Sequence, residues 1–239
     1  MKIKKLLKKN EIYFRTVTSL LLGLMAVIVA YNSNRIAKEQ TRIAKEQTKI
    51  NYFENTPDFQ LTREYIRDSI GYVNETQITV HKYGGKAKNI SIQIQSYAHF
   101  EITDKDDNEL IRYVHLYEFF DESHRTGEND GSIRYIRGFN NNRNFAQFAR
   151  RMDAEITKKG YPYVFIKSLI IAKISYTDFL NEAKEEYYDI SFGDGVLLRE
   201  TDFRVNLFKS LKASPESISI SKVEEIQKCL DIVLQKDKG

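Results

Sequence analysis

The residues that could carry chemistry are few and widely spaced. None of the histidines has the i, i+3 or i, i+4 spacing that puts two metal ligands on one face of a helix; they are His81, His99, His115 and His124. The first three fall in strand-like segments, where partly exposed histidines are expected. The sequence therefore predicts neither a metal site nor another cofactor site.

Other motifs reduce to structural features. Asp104-x-Asp106-x-Asn108 begins like a calcium loop, but the sixth and twelfth positions are Glu109 and His115, so a hairpin turn is the better interpretation. Cys229 is the only cysteine, which excludes disulfides, and its helical spacing predicts a small buried side chain. No Gly-x-Ser-x-Gly elbow occurs. The sequence favours a binding protein over an enzyme, although distant carboxylates could still assemble an active site.

One segment has the length and composition of a membrane anchor. Residues 16–34 contain no charged side chain and would extend about 28 Å as a helix, close to the ~30 Å apolar core of a bilayer. A signal peptide is the alternative, but the small-x-small cleavage pattern is poor, which favours an uncleaved signal anchor. The predicted transmembrane core is Leu20, Leu21, Leu22, Leu24, Met25, Val27, Ile28 and Val29.

The charge is concentrated around this segment. Residues 1–57 carry a net charge of +7 and the remainder carries −3. Positive charge beside an apolar segment predicts contact with anionic lipid headgroups, and the acidic remainder makes nucleic acid an unfavourable partner. Six Lys/Arg precede the segment and five follow it. The denser N-terminal cluster favours a cytoplasmic N-terminus and a soluble domain outside, and the near tie leaves the reverse orientation open.

A repeat follows the anchor. Residues 35–41 and 42–48 have the same seven letters, RIAKEQT. This spacing predicts a coiled-coil seam with isoleucine at heptad position d and glutamine at a, formed by Ile36, Gln40, Ile43, Gln47 and Ile50. A short homo-oligomerising stalk is one interpretation, and a solvated spacer helix is the other. Pro57 is expected to end the helix.

Beyond the stalk the pattern changes to period two, which indicates strands. Ile90 to Ile102 alternate as one long strand, and residues 104–109 predict a hairpin. Residues 121–132 are interpreted as a mobile loop, and Tyr163–Tyr176 as a central strand. Helices are predicted around Phe145–Ile156, over Asp202–Leu211 and after a capping box at Ser221 and Glu224.

These features divide the chain into five segments. They are a basic tail (1–15), a transmembrane helix (16–34), a helical stalk (35–56), a β-rich soluble domain (57–212) and a C-terminal helix packed on it (213–239). The predicted fold class is mainly β with added helices, α+β overall, and it includes the N-terminal transmembrane helix that continues into the stalk.

Three stretches carry a resemblance to a known type of protein. They are the stalk residues 40–47 followed by Pro57, the segment 78–90 around Gly84-Gly85, and Tyr176-Thr177-Asp178 with Tyr187-Tyr188. In these the chain resembles uncharacterised bacterial single-pass membrane proteins with an N-terminal anchor, a short helical stalk and an immunoglobulin-like β-sandwich. The resemblance implies that fold and a membrane location, and it supplies no catalytic residues.

Two functional classes follow from these observations. The first is a membrane-tethered binding or interaction module whose partner is an unknown protein or cell-envelope component. The second is a cytosol-facing membrane sensor or effector, in stress or antiviral defence, that oligomerises through its membrane helix and stalk.

Overall fold

The computed structural model describes residues 8–126, 131–210 and 217–235. The chain divides into two compact units, residues 1–54 and 55–239. The first unit is dominated by one helix, α1 (Glu11–Asn55), of 45 residues. By length and composition this helix could cross a membrane. It ends directly before Thr56 and Pro57, as predicted, because the proline ring disfavours helical geometry in the residue before it.

The second unit contains two β-sheets and three helices in its described part. The four-stranded sheet has the order β1 (Asp58–Arg67), β2 (Val73–Tyr83), β6 (Gly131–Gly138), β5 (Glu122–Arg125). The six-stranded sheet has the order β10 (Ser217–Ser219), β4 (Glu109–Tyr117), β3 (Lys88–Thr103), β7 (Tyr163–Thr177), β8 (Ala183–Asp189), β9 (Val196–Leu197). All described strand pairs are antiparallel except β10 with β4.

The helices lie late in the chain. They are α2 (Asn141–Lys158), α3 (Phe203–Ser210) and α4 (Glu225–Leu234). The predicted apolar stripe of α2 is confirmed, since Phe148, Met152 and Ile156 are buried, and this helix contacts β2, β7 and α4. The chain is therefore a mixed α/β protein with four helices and two sheets in its described part.

One apolar core joins the two sheets. Alternate residues of β3, including Ile92, Ala98, Phe100 and Ile102, are buried in the same cluster as residues of β1 and β2. β7 lies inside its sheet, as predicted, with Ile170 fully buried in this cluster. The other face of β3 and β7 has its own smaller cluster. One face of the six-stranded sheet therefore packs in the main core, and the other face is covered only in part.

Several local predictions are confirmed and others are wrong. The hairpin at 104–109 is present, and α3 lies inside the helix predicted for 202–211. The loop predicted for residues 121–132 is wrong in its described part, because β5 lies there and pairs with residues 134–137 of β6, and Gly131 and Ser132 pair with β2. Residues 127–130 of the predicted loop lie outside the described residues. The capping box is also wrong. The Ser221 hydroxyl lies 2.8 Å from that of Ser219, and α4 begins after Glu224 without a side-chain cap.

Candidate binding surface

The outer face of the six-stranded sheet is divided into a covered half and an open half. α3 packs on one half through Val205 and Phe208. The sheet residues buried beneath it form a second apolar cluster, which contains Tyr97, Leu169, Ile171 and Tyr187. The remaining half is formed by β4, β3 and β7, and its side chains stay partly exposed.

This open face has a simple register. Tyr113, His99 and Lys167 face one another across β4, β3 and β7, and Ile111, Glu101 and Phe165 form the next row on the same face. Neighbouring strands lie about 4.8 Å apart, so the six side chains occupy a compact patch. The patch rests on long, paired strands, which gives its side chains fixed positions.

The centre of the open face is an ion pair beside a neutral ring. Lys167 Nζ donates to Glu101 Oε1 at 2.7 Å. His99 Nε2 is buried 3.5 Å from the same oxygen, and no described residue forms a hydrogen bond with it. The His99 ring stacks on Tyr113 at 4.6 Å between centroids. Charge and aromatic surface are therefore in direct contact here.

The environment sets the charge of each group. Burial lowers the pKa of His99, and Lys167 lowers it further against the opposing effect of Glu101. The hydrogen bond from Lys167 holds the pKa of Glu101 below its ordinary value. Near neutral pH the imidazole of His99 is therefore neutral and Glu101 is a carboxylate.

Apolar side chains form the border of this centre. Ile111 and Phe165 are each 43% exposed, and Tyr163 and Phe203 are more than half exposed. Phe203, the first residue of α3, lies 5.7 Å from the Tyr113 ring. Exposed aromatic side chains are enriched in protein-recognition surfaces.

An ionic network fixes the start of α3 beside the open face. The guanidinium group of Arg204 donates to Asp202 from Nε at 2.8 Å and from Nη2 at 2.6 Å, and it also pairs with Asp189 of β8. Arg204 thereby lowers the pKa of Asp202 to about 2. Because Phe203 lies between these two residues, the network also positions that aromatic ring.

The other histidines and the Asp104 motif, for which the sequence predicts no metal site, have ordinary structural surroundings. His81 lies near Ser132 and Thr62 in the smaller sheet, His115 bonds Ser217, and His124 is exposed. Within residues 8–126, 131–210 and 217–235, no three His, Cys, Asp or Glu side chains are grouped to hold a metal ion. Asp104 accepts from the backbone of Asp106 and Asn108, the arrangement of a hairpin turn.

Cys229 is fully buried, as predicted. Burial raises the pKa of its thiol to about 12. The thiolate is the reactive form of cysteine. This side chain is therefore an inert part of the core at neutral pH.

The residues singled out in the anchor and stalk all lie on α1. Its apolar side chains, from Leu20 to Val29, are exposed in the isolated chain, and so are the seam residues from Ile36 to Ile50. The domain boundaries and the roles of these residues stay predictions.

The open face was missed by sequence reasoning. Its signal is weak, because His99 and Glu101 alternate with buried residues as on any half-exposed strand. Lys167 lies 66 residues further along the chain, and only the β3–β7 register brings it beside them.

A cleft is lined by residues on or next to β3, β5 and β6. Its volume is about 430 Å³, and Lys88, Arg125 and Arg134 contribute to its walls. Among the described residues that line it, none is acidic.

Comparison with known proteins gives no relative. No protein-family model matches the chain, and neither a curated protein nor a solved structure shows significant similarity to it. The function must therefore be argued from the geometry.

Proposed function

We propose that this protein is a membrane-tethered binding module and that the open face of its six-stranded sheet binds a protein partner. The observation that carries the proposal is the group of exposed apolar side chains, Ile111, Phe165 and Phe203, around the Lys167–Glu101 ion pair. Rigid aromatic anchors next to oriented charges supply both affinity and orientation in protein recognition.

An enzymatic role has less support on this face. The only basic group with a lowered pKa in the centre, His99, directs Nε2 toward Glu101 in a buried position. Neither a serine nor a cysteine accompanies it in the two rows of the open face. A general base needs access to the proton that it removes. The geometry therefore favours binding over catalysis.

The strand order supports an immunoglobulin-like sandwich as the scaffold. Labelled in chain order, β1, β2, β6 and β5 correspond to strands A, B, E and D, and β4, β3, β7 and β8 to strands C′, C, F and G. Sheets of the orders ABED and C′CFG characterise this fold. In this interpretation α2 occupies the E–F connection, and β9, α3, β10 and α4 are additions that follow strand G.

The anchor and orientation belong to the same proposal. The apolar half of α1 crosses the membrane as a single-pass signal anchor, and the dense basic tail stays in the cytoplasm. The domain then lies outside, where its partner is a protein of the cell envelope. Anionic headgroups interact with the basic flanks.

Site-specific photocrosslinking tests the binding face. The full-length protein carries p-benzoylphenylalanine in place of Phe165, and a matched control carries it in place of Phe192, which is 83% exposed in the β8–β9 connection. In native membranes we expect a discrete, protease-sensitive adduct from position 165 only. Ile111→Asn in the same chain should remove it without changing stability beyond about 0.5 kcal/mol. Equal labelling from both positions, or none from position 165, would overturn the proposal.

A second function has its own supporting observation. The cytosol-facing sensor or effector is favoured by the uninterrupted α1, which joins the anchor to the stalk, and by the nearly balanced flanking charges. A cysteine at the exposed Asp106, in a Cys229→Ala background, distinguishes the orientations. Labelling by an impermeant thiol reagent on intact cells supports the envelope-facing module. Labelling only after permeabilisation supports the sensor.

A further inference from the structure

The isoleucines of the stalk form an apolar line on α1. Ile36, Ile43 and Ile50 are seven residues apart, and each is 47–57% exposed. They lie beyond the segment proposed to cross the membrane, so lipid does not cover them. Exposed β-branched side chains at a strict heptad spacing require a partner helix to remove them from water.

The same line continues into the apolar segment without a break in register. Val29 and Leu22 extend position d by two further heptads. Small or amide side chains occupy the neighbouring positions a and e: Ser19, Ala26, Ser33, Gln40 and Gln47 at a, and Gly23, Ala30, Ala37 and Ala44 at e. The bulky residues Leu20, Leu21, Leu24, Met25, Val27 and Ile28 fall at other positions. One face of α1 therefore combines a ridge at d with narrow flanks from Ser19 to Ile50.

The charges avoid this face. Every charged residue from 35 to 50 falls at positions c, f or g: Arg35, Lys38, Glu39, Arg42, Lys45, Glu46 and Lys49. Arg42 pairs with Glu39 at 3.1 Å and with Glu46 at 3.7 Å on the flank of the helix. Positions a, d and e, which a partner helix would cover, therefore carry no charge between residues 35 and 50.

We propose that other copies of this chain cover the face, in parallel and in register, along one seam that runs through both membrane and stalk. The inference rests on the membrane anchor proposed above, since a common insertion direction makes the copies parallel. Small side chains at a and e allow close backbone approach within the membrane. Glutamine at a selects the register in water. A seven-residue repeat of this length requires a left-handed supercoil.

The side chains also indicate the number of copies. Isoleucine at d packs poorly in a parallel pair and well in bundles of three or four helices. The wide a–d–e face is compatible with such a bundle. We therefore expect three or four copies.

Disulfide scanning in native membranes tests the seam. Single cysteines replace Ile36, Ile43, Lys38 or Lys45 in the full-length Cys229→Ala chain, and a mild oxidant is added. The d positions should form at least tenfold more disulfide than the f positions only two residues away, where the side chains point outward. Cysteines at Val29 and Tyr31 extend the comparison into the membrane. Equal yields at d and f, or no disulfide at d, would overturn the seam.

Further measurements distinguish a failure of the seam from a failure of the proposed anchor or of the proposed binding face. Alkaline carbonate extraction of the same membranes tests the anchor independently, because an unanchored protein is released whatever its disulfide pattern. The photocrosslinking at Phe165 is independent of the stalk. Native mass spectrometry of the detergent-solubilised protein should give three or four copies. A mass of two copies would refute the proposed number of copies. Whether the copies meet along the seam is tested separately by the disulfide pattern.

Discussion

The Gly84–Gly85 turn lies close to the first residues of the domain, and this predicts that alanine at the two positions has different effects on stability. A Cβ added to Gly85 would overlap the backbone of Thr56 and Pro57 and would lie 2.5 Å from the carbonyl oxygen of Thr56. A Cβ on Gly84 would meet nothing within 4 Å. Both glycines have positive φ angles, +55° and +39°. Gly85→Ala and Gly84→Ala therefore share a backbone penalty and differ in the steric clash.

The magnitudes follow from these two terms. A non-glycine residue in the left-handed region costs about 1–2 kcal/mol, which is the whole effect expected for Gly84→Ala. Forcing an extra carbon into packed backbone costs a further ~1–3 kcal/mol. Gly85→Ala should therefore lower the free energy of unfolding by about 2–5 kcal/mol, and by at least about 1 kcal/mol more than its neighbour.

Cys229 supplies the assay. It is the only cysteine, it lies in the second unit, and burial makes its thiol unreactive. Pulse labelling with a maleimide across a urea series on the full-length protein therefore reports domain unfolding without a signal from α1. The midpoint shift multiplied by the m-value gives the change in stability. If the two variants differ by less than about 0.5 kcal/mol, the close approach of Gly85 to Thr56 is refuted.

Three other predictions use the same assay. Burial lowers the pKa of His99 and His115, so their contribution to stability is present above about pH 6.5 and is lost as pH falls. The urea midpoints of unfolding at pH 7.5 and 5.5 should therefore lie closer together when both histidines are replaced by Gln. An unchanged difference between the two midpoints would contradict this. Arg204→Ala removes the partner of the Asp189 and Asp202 carboxylates and should destabilise the domain by roughly 1–3 kcal/mol. The control, Arg199→Ala at an exposed position, should change the free energy of unfolding by less than about 0.5 kcal/mol. Similar effects of the two substitutions would argue against the ionic network around Arg204. Asn141→Ala removes three hydrogen bonds at a buried side chain and should cost about 2–4 kcal/mol; a midpoint shift below about 1 kcal/mol would show that water replaces them.

Periodicity predicted the parts of the fold whose burial follows the sequence directly. α1, β3, α2 and the 104–109 hairpin have a strong period or an unambiguous turn, and the structure places each of them close to its predicted position. β7 was recognised as central because both its faces are apolar. The same apolar pattern gave no indication that the outer face of β7 is covered only in part. Leu169 and Ile171 are covered by α3, whereas Phe165 and Lys167 remain in the open half.

The failures have physical causes. β5 has four exposed residues, so no apolar alternation separates it from a loop. The capping box failed because the Ser221 hydroxyl finds Ser219 as a competing partner. The open face depends on pairings between distant strands, and a single sequence contains no signal for a register between His99 and Lys167.

The outermost strands of the two sheets are short or covered. β9 has two residues, β10 three and β5 four. The one long outer strand, β1, is covered in part by the β8–β9 connection, where Gly195 donates to the carbonyl of Leu61 at 2.7 Å and Arg63 donates to that of Ser191. In the described part, β10 pairs only with residues 115–117 of β4, and β9 pairs only with Tyr188 and Asp189 of β8. The rest of the outer edge of β4 and of β8 has no strand partner among the described residues, and such an edge is a template for another chain. With the chain anchored as proposed, copies in one bilayer would meet often, and strand exchange or aggregation would begin at these two edges.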